Sequence, residues 1–157
     1  MVCDHIVGHE ASISKVMVDS TNLGISASYD CMINVWDLNY IENVAQLYGP
    51  HKNAILDFEW RNSLVVSGDK DGVVAFWDIN TGTHFKQVKC HAGGIGAMSL
   101  YSDNVDSHLI ITSGLKDGIL NVFDMRTNKP LFAKRVHAGA INKIVVDMSG
   151  NSKNPKS

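Results

Sequence analysis

Apolar residues in this chain fall in short runs, separated by Gly, Asp, Asn and Ser, and nowhere settle into a 3.6-residue period. The runs are Ile13–Val18, Leu23–Ser28, Met32–Trp36 and Val44–Tyr48. They continue as Ile55–Trp60, Leu64–Ser67, Val73–Trp77 and His84–Val88, then Ile95–Tyr101, Leu109–Ser113, Ile119–Phe123 and Leu131–Val136. A last one is Ile141–Asp147. Runs of this length and punctuation predict β-strands. Several are apolar at every position, as in Val73-Val74-Ala75-Phe76-Trp77. Such a strand needs cover on both faces, so the expected sheets are packed between neighbours. Asp71-Gly72 and Asp117-Gly118 predict tight turns, because Gly tolerates a positive φ. Asn80-Thr81-Gly82 predicts another. The expected class is all-β.

The runs are organised by a repeat. His9, His51, His91 and His137 stand 42, 40 and 46 residues apart. The first three copies share a fixed ending: a Ser ten residues and an Asp six residues before an aromatic-Asp pair. The sets are His9, Ser26, Asp30 and Trp36; His51, Ser67, Asp71 and Trp77; and His91, Ser113, Asp117 and Phe123. The slack lies between His and Ser, and the third copy carries an insertion there, around residues 102–107. A period of this size indicates a stacked repeat architecture.

Composition narrows the function classes. The net charge of −2 gives no electrostatic footprint for nucleic acid. No apolar run is long enough to span a membrane as a helix. Residues 1–5 lack the basic and apolar regions of a signal peptide. Cys3, Cys31 and Cys90 are odd in number and lack CxxC spacing, which fits free thiols in the cytoplasm or nucleus. Residues 148–157, rich in Ser, Asn, Lys and Pro, have too little apolar area to pack and are expected to be disordered.

Ser, His and Asp together suggest a catalytic triad, but a nucleophile is needed once and this set recurs three times. No nucleophile elbow surrounds any of the serines. Asp69-Lys70-Asp71-Gly72 lacks the remaining ligands of a calcium loop. Cys3, His5 and His9 lack a fourth zinc ligand at a recognised spacing. No phosphate-binding glycine motif is present. No cofactor or metal is expected, and no enzymatic activity. A structural role accounts for all three copies. The Asp accepts from one imidazole N–H, the other ring nitrogen meets the Ser hydroxyl, and that hydroxyl accepts from the indole N–H. Phe123 has no N–H, so the third network is expected to be cut short and its unit the least well tied.

These residues resemble the WD-repeat family of β-propellers, over roughly residues 8–147. The resemblance implies repeats at about 8–48, 49–89 and 90–136, a partial repeat at 137–147, and about three complete four-stranded blades. Met1–Val7 would be the outer strand of a preceding blade, and Ile141–Asp147 the innermost strand of an unfinished one. The implied function is a non-catalytic scaffold or adaptor for proteins. In this family the residue before the turn Asp often contacts ligands, which here selects Tyr29, Lys70 and Lys116. Residues flanking the start of each inner strand point the same way: Ser12 and Ser14, Ala54 and Leu56, Gly94 and Gly96, Ala140 and Asn142. The lysines suit an acidic or phosphorylated peptide.

Phe123-Asp124-Met125-Arg126 also resembles the ending found in WD-repeat substrate receptors of cullin-type ubiquitin ligases. Ile111, Leu120 and Val122 fit that pattern, while Phe123 and Leu115 depart from it. Three blades and a fraction do not close a ring, since propellers have four to eight. The chain is therefore expected to be part of a longer protein, to join a second copy or another half-propeller, or to stand as an open array.

Overall fold

The computed structural model describes residues 8–102, 108–127 and 130–146. Twelve strands lie among them. The first four are β1 (Ile13–Val18), β2 (Leu23–Ser28), β3 (Ile33–Asp37) and β4 (Glu42–Leu47). The next are β5 (Ile55–Arg61), β6 (Leu64–Asp69), β7 (Val73–Asp78) and β8 (Thr83–Lys89). The last are β9 (Ile95–Ser102), β10 (His108–Gly114), β11 (Ile119–Asp124) and β12 (Pro130–Arg135). Each set of four pairs in chain order as an antiparallel sheet. These are three blades of a β-propeller, with β1 beside β5 and β5 beside β9.

Twelve of the thirteen apolar runs coincide with a strand to within two residues at either end. The exception is Ile141–Asp147, whose described part, residues 141–146, forms no strand. A strand needs a neighbour to pair with, and the described residues supply none there. Ile141 is nonetheless buried, and its N–H reaches Gly114 O at 3.3 Å. Met1–Val7, the insertion at residues 103–107 and the tail at 148–157 lie outside the described residues.

The apolar character of both faces follows from the stacking. On blade 1, Ile25, Ala27, Ile33, Val35 and Leu47 pack against Ile55, Phe58, Val65, Ala75 and Trp77 of blade 2. From its opposite face, blade 2 sends Val66, Val74 and Phe76 against Ile95, Met98, Leu100 and Ile110 of blade 3. Blade 2 is covered on both sides. The far face of blade 1 leaves Val16 (59%), Val18 (57%) and Val44 (53%) exposed.

Polar contacts tie the blades near the propeller axis. Lys15 on β1 donates to Asp57 Oδ1 (2.9 Å), Glu59 Oε1 (3.1 Å) and Phe58 O (2.7 Å) of β5. Burial works against its charge, but the hydrogen bonds and charges of Asp57 and Glu59 outweigh burial and raise its pKa. Asp57 Oδ2 in turn accepts Met98 N–H from blade 3 (3.0 Å). One carboxylate thus links all three blades.

The tight turns use positive φ where the sequence places Asp-Gly, at Gly72 (+83°) and Gly118 (+65°). A side chain on Gly72 would run into the carbonyl oxygens of His91 and Gly93. In blade 1 Cys31 holds the same position with φ +72°. Ile41 (+55°) likewise stands where blade 2 has Gly82 (+70°), a conformation that disfavours a β-branched residue.

Candidate interaction face

The repeated histidines enter each blade from the segment before its first strand. In blade 1, His9 Nδ1 donates to Asp30 Oδ2 (2.9 Å) and Nε2 accepts from the Ser26 hydroxyl (2.7 Å). Ser26 Oγ accepts from Trp36 Nε1 (2.9 Å). A carboxylate only accepts, which places the imidazole proton on Nδ1. Burial disfavours the Asp30 charge, yet hydrogen bonds from His9 and the Met32 and Glu10 N–H groups prevail and hold its carboxyl below the usual range.

Blade 2 repeats the chain with a different acid. His51 Nδ1 donates to Asp69 Oδ2 (2.7 Å), not to Asp71. The Ser67 hydroxyl donates to His51 Nε2 (2.6 Å) and accepts from Trp77 Nε1 (2.8 Å). Asp69 is fully buried at the end of β6, and its other oxygen accepts the N–H groups of Asp71 and Val73, both at 2.9 Å. It therefore closes the turn and holds the imidazole at once. Asp71 is exposed and accepts from Asn53 Nδ2 (3.1 Å).

Blade 3 departs from the sequence expectation in its hydroxyl. His91 Nδ1 reaches Asp117 Oδ2 (3.1 Å), but Nε2 meets Thr112 Oγ1 (3.0 Å) and not Ser113. Register explains the exchange. Ser26 pairs with Asn34 and Ser67 with Ala75, whereas Thr112 pairs with Asn121. The β10–β11 turn holds one residue more, so the strand slides by one. The Ser113 hydroxyl instead points to Ala97 O (3.4 Å) and Ile141 O (3.2 Å). Phe123 offers the Thr112 hydroxyl no N–H; Asn121 Nδ2 instead donates to Cys90 O (2.8 Å) and lies 3.3 Å from His91 Nε2, a contact made to the imidazole and not to the hydroxyl.

A buried Ser67 hydroxyl committed to both His51 and Trp77 has no access to a substrate. The networks fix blade geometry and so position the loops. Strand entries, the hairpin turns after β2, β6 and β10, and the ends of β4 and β8 all gather at one end of the blades. One backbone bond recurs there: Tyr29 N to Ser12 O (2.9 Å), Lys70 N to Ala54 O (2.9 Å) and Leu115 N to Gly94 O (2.7 Å). The structure thus brings Tyr29 beside Ser12, Lys70 beside Ala54, and Lys116 one residue beyond the Leu115–Gly94 contact. Tyr29, Lys70, Lys116, Ser12 and Asn142 are exposed; Leu56 is half-buried. Ser14 turns its hydroxyl inward to Ala27 O (3.1 Å).

A cleft of about 310 Å³ opens at this end between blades 2 and 3. Lys70, Lys116 and Asp71 line it, as does Lys89 from the end of β8. Lys89 escaped the sequence reading because its signal is spatial: no offset within one repeat links it to Lys70. Arg126 sits at the opposite end of blade 3. Its guanidinium grips Asp124 through Nε (3.0 Å to Oδ1) and Nη2 (2.6 Å to Oδ2). The hydrogen bond and charge of Arg126 hold Asp124 down at about 2. Cys90 is half-buried among apolar neighbours, and burial pushes its thiol up to about 12, which disfavours the thiolate.

Comparison with known proteins accords with this geometry. The family described as WD domain, G-beta repeat matches residues 2–37. The chain resembles WD-repeat proteins. It is 26% identical over 104 residues to the DENN domain and WD repeat-containing protein SCD1 of Arabidopsis thaliana, covering 65% of this chain and 9% of that protein. It is 32% identical over 97 residues to the F-box/WD repeat-containing protein sel-10 of Caenorhabditis elegans, covering 60% of this chain and 16% of that protein. The chain therefore spans a small fraction of the curated relatives it matches. Among solved structures, the computationally designed Ika4 protein superposes with a TM-score of 0.74 at 27% identity, over 89% of this chain and 84% of that one. WD repeats generally serve as non-catalytic scaffolds for protein–protein interaction.

Proposed function

We propose that this WD-repeat chain is a non-catalytic interaction platform that presents the loop end of its blades to an acidic or phosphorylated segment of a partner protein. The observation that carries this reading is the cleft between blades 2 and 3, which Lys70 and Lys116 both line together with Gly93 and Gly94. Charged donors that are exposed but fixed at their backbone suit selective recognition of anionic side chains. The test is affinity capture from cell extract with the wild-type chain beside Lys70→Glu with Lys116→Glu. Loss of specific partners from the doubly reversed chain is the expected result. Unchanged capture would place the binding surface elsewhere.

A second reading concerns assembly. The open face of blade 1 exposes Val16, Val18 and Val44, and the edge of blade 3 exposes Leu131 and Phe132. Beneath the blade 1 face, Asn34 is fully buried with neither amide atom partnered, whereas Asn121, its counterpart in blade 3, is satisfied. Such faces are normally covered by the next blade. On this reading further blades, from a second copy or another chain, complete the array. Light scattering on the purified chain is expected to show an oligomer or an aggregating species; a stable, well-folded monomer would count against assembly.

A further inference from the structure

The cleft between blades 2 and 3 carries more charge than the two lysines selected from sequence. Lys70, Lys89 and Lys116 are all exposed around it, and none of them forms an ion pair among the described residues. The single acid in the lining is Asp71, which accepts a hydrogen bond from Asn53, also in the lining. Three ammonium groups against one carboxylate leave a formal charge of +2. The floor is glycine for a steric reason. A Cβ on Gly94 would come within 3.1 Å of Lys70 O, and one on Gly93 within 3.3 Å of the Lys116 stem. The aliphatic stem of Lys116 therefore lies along Gly93.

The two junctions differ at two of these positions. Strand register makes Lys89 the counterpart of Tyr48, because Val88 pairs with Val74 as Leu47 pairs with Ile33. The shared backbone bond to the strand entry makes Lys70 the counterpart of Tyr29. The junction between blades 1 and 2 thus carries two tyrosines where the next carries two lysines. The cations of that first junction are Lys52, at the position of Ala92, and Lys70, at the position of Lys116, so the second junction differs by the lysines at 70 and 89.

We propose that this cleft is a phosphate subsite, taking the phosphoryl group of a phosphorylated side chain on a partner protein. This rests on the interaction-platform reading above and narrows it. A phosphomonoester carries roughly −1.5 to −2 charge at neutral pH and three acceptor oxygens, which matches the lining in sign and size. A carboxylate, with one charge and two oxygens, leaves a lysine unmatched. Lys70, Lys89 and Lys116 each supply one donor to the phosphoryl oxygens.

The test is lysine footprinting of the intact chain, with acylation quantified by mass spectrometry in the presence of N-acetyl-O-phosphoserine or of N-acetylaspartate, both lacking a free amine, at equal ionic strength. N-acetyl-O-phosphoserine should slow acylation several-fold at Lys70, Lys89 and Lys116 but not at the exposed Lys52 and Lys134, and N-acetylaspartate should not. Lys89→Gln with Lys116→Gln should abolish protection at Lys70 with an unchanged circular dichroism spectrum. Uniform protection of all five lysines, or equal protection by N-acetylaspartate, would overturn the assignment. Capture that Lys70→Glu with Lys116→Glu abolishes but phosphatase treatment of the partner leaves intact would retain the interaction platform and overturn the phosphate subsite.

Discussion

Replacing Trp77 with Ala is expected to destabilise the array by about 3–5 kcal/mol, the range for removing a fully buried large aromatic. Trp77 has no exposed surface. It fills the junction between blades 1 and 2 with Phe58, Val65 and Ile25. Its ring lies 5.6 Å from that of His84, edge to face, and 6.2 Å from that of His51. Its N–H also holds the Ser67 hydroxyl in position to donate to His51. Truncation therefore opens a cavity and loosens a buried polar chain at the same site. Trp77→Phe keeps much of the volume and loses only the N–H, so about 1–2 kcal/mol is expected from one missing buried hydrogen bond. Trp36→Ala should cost less than Trp77→Ala, since the same network in blade 1 faces the open side and Trp36 is only half-buried. Urea denaturation followed by far-ultraviolet circular dichroism gives the ranking. A Trp77→Ala cost no larger than that of Trp36→Ala would show that the junction between blades 1 and 2 does not carry the fold.

The order of these effects could not be taken from the sequence, although the blades could. Strand positions were legible because each run is apolar, bounded by turn residues, and short. Which member of a repeat bonds to which was less so. Asp69 and Asp71 flank Lys70, and spacing alone favours Asp71 because it matches Asp30 and Asp117. The choice is made by where the carboxylate lies at the end of β6, with two turn N–H groups already on it. Thr112 and Ser113 are adjacent hydroxyl residues, and counting back from Phe123 selects Ser113. One extra residue in the following turn shifts the register and reverses that choice. Contacts between blades were not legible at all. Lys15, Asp57 and Met98 meet across more than forty residues of chain, and Lys89 joins Lys70 and Lys116 only through stacking. A repeat pattern describes one unit and is silent on what its neighbours place opposite it.

The exchange of Asp69 for Asp71 gives the sharpest test of that distinction. Asp69→Ala is expected to cost about 3–5 kcal/mol, as for breaking a buried hydrogen-bonded pair by removing one partner. It leaves the His51 Nδ1–H and the N–H groups of Asp71 and Val73 without their acceptor, and His51 is buried. Water cannot replace the carboxylate at His51 unless the junction opens. Asp71→Ala removes only an exposed bond from Asn53 and is expected to change stability by no more than about 0.5 kcal/mol. Asp69→Asn should fall between them, because one amide oxygen can still accept but the charge is lost. The double variant should add, since the two carboxylates serve different partners. Equal costs for Asp69→Ala and Asp71→Ala would mean that His51 shares its proton with both acids. A larger cost for Asp71→Ala would restore the assignment that spacing alone favours.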